Sequence, residues 1–178
     1  AGAVTPPTGF INYLGVTSSS AYTVGASDYF NIWQKIEGLN VADLGWGTVN
    51  AKTVTLSFWV YSSLTGTFGG AIENSAQNRS YPFTYTISSA NTWEQKSVTI
   101  TGDQSGTWLT TNGTGCFVLF GLGVGSTYSV TAGAWAGSQA LSATGATSIV
   151  GTSGATFYIT GVQLELGSVA TPFERRLY

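Results

Sequence analysis

Near its end the chain reads ATFYITGVQLELGSVATPFERR, from Ala155 to Arg176. Phe157 and Ile159 alternate with Tyr158 and Thr160, and then Val162, Leu164 and Leu166 alternate with Gln163 and Glu165. The apolar set changes parity around Gly161. This is strand periodicity interrupted by a bulge or a close-approach glycine. A strand with apolar side chains on alternating faces must be packed on both sides, which predicts a central strand of a sandwich. The remaining sequence has to supply the layers around it.

The composition fits. The chain has 178 residues, of which 43% are hydrophobic and 13% aromatic, enough for one well-buried domain. Charged residues make up only 8%, while Gly occupies 24 positions, so Ser, Thr, Asn and Gln must form the polar surface. Such a surface suits hydrogen bonding to neutral ligands such as sugars, and it is equally common on secreted and virion β-proteins that bind nothing. The net charge is −2 and the six basic residues are scattered, which predicts no nucleic-acid partner. No apolar segment approaches the roughly 18 residues of a membrane span, which predicts no membrane insertion. Histidine is absent, which removes His-based triads and His metal ligands from consideration. The one cysteine, Cys116, lies in the apolar run CFVLFGLGV and reads as buried. The chain opens at Ala1 rather than Met, as a processed or truncated product would.

Two further segments share the strand-rich character of the first: IEGLNVADLGWG at Ile36–Gly47 and AKTVTLSFWVYSS at Ala51–Ser63. Together with GVQLELGSVATPFERR, and in this order, they resemble the carbohydrate-binding-module-like jelly-roll domain of bacteriophage tail fibres and related virion proteins. The resemblance runs from about Phe30 to Arg176. It implies an all-β fold, an antiparallel two-sheet β-sandwich of jelly-roll type. It also implies a virion-surface or, alternatively, secreted location, with cell-surface glycan or another host receptor as partner. Contacts with other virion proteins and a homotrimer follow from the same resemblance. Modules of this fold often hold a structural calcium through an acidic residue near the final strand; here that position reads Thr160-Gly161, so no metal and no cofactor is expected.

Taken in order, residues 1–9 read as an extended lead-in with two adjacent prolines, and residues 10–178 as a single jelly-roll domain. Strands are predicted at Phe10–Val16, Tyr29–Ile36, Lys52–Tyr61, Ala71–Asn74, Phe83–Ile87, from Trp93 through Ile100, at Cys116–Val124, and through Phe157–Leu166. In the second of these, Phe30, Ile32 and Gln34 alternate with Tyr29, Asn31, Trp33 and Lys35. Ile36–Gly47 reads as a connection with at most one short helical turn. Trp46, between two glycines, either caps the core or offers its indole to a sugar ring. In Lys52–Tyr61, Leu56, Phe58 and Val60 share the inward face; Thr55, Ser57, Trp59 and Tyr61 share the other, which reads equally as a binding surface or as a face packed on a neighbour. Trp93 reads as structural, with Val98 and Ile100 facing in. Trp108 falls at the apex of an exposed loop, Ser105–Gly115. Residues 125–154 form a long loop of Gly, Ser, Thr and Ala with Tyr128 and Trp135 as its aromatics, a length that marks functional or partner-ordered segments.

Chemistry is sparse. None of the eight carboxylates falls in a catalytic motif, and there is no phosphate-cradling glycine loop or nucleophile elbow, so the chain reads as non-enzymatic. Glu165 is expected to pair with Arg175 or Arg176, or to bond the loop at Glu37. The candidate ligand-binding set is Trp46, Trp59, Tyr61, Trp108, Tyr128 and Trp135. The readings left open are a receptor- or glycan-binding fibre domain, a purely structural fibre or decoration domain, and a carbohydrate-binding module of a secreted hydrolase.

Overall fold

The structure, a computed structural model, describes residues 4–175. Its strands are β1 (Leu14–Thr17), β2 (Tyr29–Glu37), β3 (Val54–Ser62), β4 (Gly66–Asn74), β5 (Ser80–Ile87), β6 (Glu94–Ile100), β7 (Thr114–Val124), β8 (Ser129–Val130), β9 (Ser142–Ala143) and β10 (Thr156–Leu166). Two antiparallel four-stranded sheets carry the fold, in the orders β1-β10-β3-β6 and β2-β7-β4-β5. Apart from the β4–β5 hairpin, each connection between their strands crosses from one sheet to the other. That strand order is the jelly roll, which confirms the expected fold class.

Strand alternation builds the core. Val54, Leu56, Phe58 and Val60 of β3 all point inward and are buried, meeting Val118, Phe120 and Leu122 of β7 and Phe83 and Tyr85 of β5 from the facing sheet. Phe58 lies edge-on to both Tyr85 and Phe120, each with ring centroids 4.9 Å away. The Tyr85 hydroxyl has no hydrogen-bond partner, and complete burial pushes its phenol far above the ordinary range.

β10 occupies the expected interior position between β1 and β3, but its two apolar sets do not face opposite sides: Phe157, Ile159 and Leu164 all face the core. Its pairing with β3 shifts register between Thr160 and Gln163, and Gly161 at the shift has φ +59°. A Cβ on Gly161 would come within 2.6 Å of the Phe10 ring. Backbone conformation and close approach therefore both require glycine here.

Several boundaries differ from expectation. β1 begins at Leu14 rather than Phe10, because the chain before it leaves the sheet edge to lie over the outer face. There Tyr13 packs on Tyr158 and Trp93, and the Trp93 indole N–H donates to the Thr5 carbonyl at 2.8 Å. Residues 4–9 are thus docked, and Trp93 is structural on the outside of the sheet, while Val98 and Ile100 do face the core. The connection after β2 holds two 3-10 turns, Gly38–Asn40 and Ala42–Leu44.

The long segment after β7 has structure of its own: a 3-10 turn at Ser126–Tyr128 and a parallel pairing of β8 with β9. It lies flat on the outside of the β2-β7-β4-β5 sheet. Glycine makes this possible, since a Cβ at Gly69 would sit 2.4 Å from Ser142 Oγ and one at Gly121 2.7 Å from the same atom. Phe117 and Leu119 are consequently buried on the outer face with Ala71 and Leu141. A strand covered on both faces reads as a continuous apolar run, which is why CFVLFGLGV does not alternate. Cys116, on the inner face, is fully buried, and burial pushes its thiol up to about 12.

Replacing Tyr85 by Phe removes a buried hydroxyl that bonds nothing while keeping the ring. The expected gain is about 1 kcal/mol, read as a higher denaturation midpoint at unchanged m-value. A loss of stability would show that the hydroxyl is satisfied in solution.

Candidate functional site

The six residues anticipated from sequence separate into three groups. Trp46, Trp108 and Trp135 converge at one end of the sandwich, each edge-on to the other two, with centroids 4.7 Å apart for Trp46 and Trp108 and 5.4 Å for each pair with Trp135. All three indole N–H groups are used. They donate to the Lys52 carbonyl, to the Asp103 carboxylate and Ser105 carbonyl, and to the Thr101 carbonyl respectively. Trp46 is 6% exposed and Trp108 8%. Trp108 is therefore not an exposed apex, which corrects its expected exposure: Asp103 and the facing tryptophans draw it inward. Trp46 caps the core, and Trp135 seals the same end against Tyr81. Asp103 is buried and held by both nitrogens of a forked Arg79 contact, at 2.6 and 2.8 Å.

Trp59 and Tyr61 form the second group, on the outer face of the β1-β10-β3-β6 sheet. Tyr61 stacks on Tyr158 at 5.3 Å and meets Trp93 at 5.5 Å, and Trp59 is half-buried beside Gly161. Residues 4–13 and 167–175 cover this face. The Thr55 and Thr99 hydroxyls donate to the Gly167 and Ser168 carbonyls, while the backbone N–H of Thr171 reaches the Glu165 carboxylate and that of Glu174 the Gln163 side-chain oxygen. Of the two readings of this face, packing describes Tyr61. Glu165 binds Gln163 and Thr171 rather than Arg175, whose guanidinium instead donates to the Gly9 carbonyl over the Phe10 ring. The alternative partner Arg176 lies outside the described residues.

Tyr128 alone stands beside an open aromatic surface. The 3-10 turn that begins the covering segment sets it edge-on to Tyr29, at 5.5 Å and 85°. Tyr29 lies 6.5 Å from Trp33, and Trp33 packs edge-on against Phe117 at 5.5 Å. Tyr29 is 50% exposed and Trp33 36%. Both belong to the outward set of β2, with Asn31 between them and Lys35 beyond, its ammonium 5.9 Å above the Phe117 ring. The Asn31 amide donates to the Leu141 carbonyl at 2.9 Å, tying the terrace to the covering segment, and its own carbonyl oxygen has no partner. Tyr29 and Trp33 were missed as site residues. Their signal, aromatics alternating with polar groups along one strand face, matches that of Thr55–Tyr61.

A groove of about 1020 Å³ opens along the edge of β10, between Ile36, Val41 and Leu44 on one side and Gln163, Leu164 and Phe173 on the other. It exists because β1 pairs with β10 only over Thr156–Ile159, leaving the second half of β10 without a β1 partner. Asp43 and Glu174 also line it, and both are exposed. Among the described residues no cluster of three or more potential metal ligands occurs. Among the same residues no helix is long and apolar enough to cross a membrane.

No protein family matches the chain in sequence, and no curated protein does. One solved structure, described as "CBM4 structure and function", aligns over 87% of this chain and 71% of its own, with 15% identity and a TM-score of 0.46. The jelly-roll assignment rests on this chain's own strand order.

Trp108→Ala should act as a core deletion, lowering stability by about 3–5 kcal/mol in chemical denaturation. A Trp108→Ala protein of unchanged stability would restore this residue to the exposed surface.

Proposed function

We propose that this is a non-catalytic recognition domain that binds a neutral glycan on the terrace of Tyr29, Trp33 and Tyr128. The observation that carries the reading is the pair Tyr29 and Trp33: exposed rings on one strand, with the Lys35 ammonium beside them. Sugar rings present apolar C–H faces to such surfaces and hydroxyls to the donors around them. A strand-borne site needs little ordering on binding, which favours affinity from few contacts.

The disposition of carboxylates supports a binding rather than a hydrolytic role. Asp103 is committed to Arg79, Glu94 to Lys96 and Glu165 to Gln163 and Thr171. Asp43 and Glu174, which share the groove, are exposed, whereas a glycosidase acid is usually kept protonated by burial; Glu73, the carboxyl that burial does raise, does not line the groove. The resemblance of three segments to fibre domains supports a setting on a virion surface, where the terrace would meet host glycan or another receptor.

Trp33→Ala is expected to weaken retention on immobilised glycans by about tenfold or more, equivalent to ~1.4 kcal/mol, while moving the thermal midpoint by no more than about 4 °C. Equal retention by wild type and Trp33→Ala would remove the terrace from the site.

A second reading is assembly, in which the terrace packs against another copy in a fibre. Large exposed side chains at the sandwich edge favour it, Ile11 at 79% and Leu14 at 53%. Sedimentation separates the two. A monomer that binds glycan supports recognition, whereas a trimer in which Trp33 fluorescence is shielded from quencher supports assembly.

A further inference from the structure

Beneath the segment that crosses the outside of the β2-β7-β4-β5 sheet lies a carboxyl group with no charge to meet it. Glu73 is fully buried. One carboxyl oxygen has no partner, and the other accepts from the Gln77 amide at a long 3.4 Å. Its neighbours across the ladder are Ser80 on β5 and Phe117 on β7, and the backbone N–H of Ala140 reaches it from above. The charged and titratable groups on the surrounding elements point elsewhere, Tyr128 of the covering segment lying edge-on to Tyr29. Arg79 is forked onto Asp103, and the Lys35 ammonium sits over the Phe117 ring. Tyr81 and Tyr85 of β5 and Cys116 of β7 belong to the inner core.

The covering segment is pinned in its first part, where the Trp135 ring packs against Trp46 and Trp108, its indole donates to the Thr101 carbonyl and the Thr127 N–H donates to the Ala26 carbonyl; beyond that the Asn31 amide donates to the Leu141 carbonyl. Ala136 and Ser80 exchange backbone hydrogen bonds, Gly133 N–H donates to the Pro82 carbonyl and Thr147 N–H to that of Thr67, and the Ser80 hydroxyl donates to the Ser138 carbonyl. Gly69 and Gly121 give it no side chains to interlock with. The stretch after Trp135, fastened this way, can open without unfolding the sandwich beneath it.

We propose that Glu73 is a proton-controlled latch: with its carboxyl neutral, residues 137–147 lie closed on the sheet, and with the carboxylate formed they lift, extending the open face from Trp33 across Phe117 and Leu119. Closure buries the carboxyl, and a buried carboxylate lacking a cation is strongly disfavoured, whereas the neutral acid is not. Burial accordingly raises Glu73 from 4.5 to about 7. Because the group is raised in the closed form, closure is fully favoured below about pH 4.5, weakens as pH rises from there to about 7, and is level above that. The latch operates whether or not the terrace binds a glycan.

Hydrogen exchange on the full chain tests it at the Leu141 and Thr147 amides, which bond the Tyr128 and Thr67 carbonyls. After correction for intrinsic rates, protection there should fall on the order of 10²-fold between pH 5 and pH 8, with β3 amides unchanged. Glu73→Gln should abolish the pH dependence. The same dependence in Glu73→Gln, or none in the wild type, overturns the latch. Should Glu73→Gln not fold, carbon-13 titration of the wild-type Glu73 carboxyl decides: a midpoint near 7 sustains the proposal and one in the ordinary carboxylate range ends it.

Discussion

The contact on which the molecule depends is the edge-to-face meeting of Phe58 with Tyr85 and Phe120 across the gap between the sheets. It joins the middle of β3 to the middle of the opposite sheet, and Phe68, Phe83 and Phe157 complete the ring cluster around it. Rings in this arrangement set their positive edges against negative faces, so they fix orientation as well as exclude water. The orphaned Tyr85 hydroxyl shows the strength of that requirement. The ring is held where its polar end can bond nothing.

With so few charges, the domain places its polar bonds at specific closures. One end is shut by three tryptophans and the fork between Arg79 and Asp103, the outer face of one sheet by residues 4–13 and 167–175, and the outer face of the other by residues 126–147. Each closure places an aromatic ring over a face and secures it with a backbone carbonyl. A strip of β2 with Tyr29 and Trp33 stays uncovered, and this strip is the surface on which the proposed recognition takes place.

The sequence carried the sandwich plainly and the site poorly, for one physical reason. Alternation in Leu56, Phe58 and Val60, and the parity change at Gly161, are local properties of a strand, and the structure keeps both. Exposure is not local. Thr55–Tyr61 and Tyr29–Lys35 present nearly the same outward chemistry, and only the path of residues 4–13 and 167–175 decides that the first is covered. Trp108 reads as a loop apex because Ser, Thr and Gly surround it, yet a carboxylate five residues earlier turns it into the core. Glycines that look like flexible punctuation, Gly69 and Gly121, are instead the flat floor on which a distant segment rests.

The segments at both ends of the described chain pack on the same side, over the outside of the β1-β10-β3-β6 sheet, while Tyr29 and Trp33 lie on the outside of the opposite one. The sandwich therefore has a back and a front. A bead, a sensor chip or a fusion partner joined near either of these ends would anchor the back and leave the aromatic strip pointing out into solution.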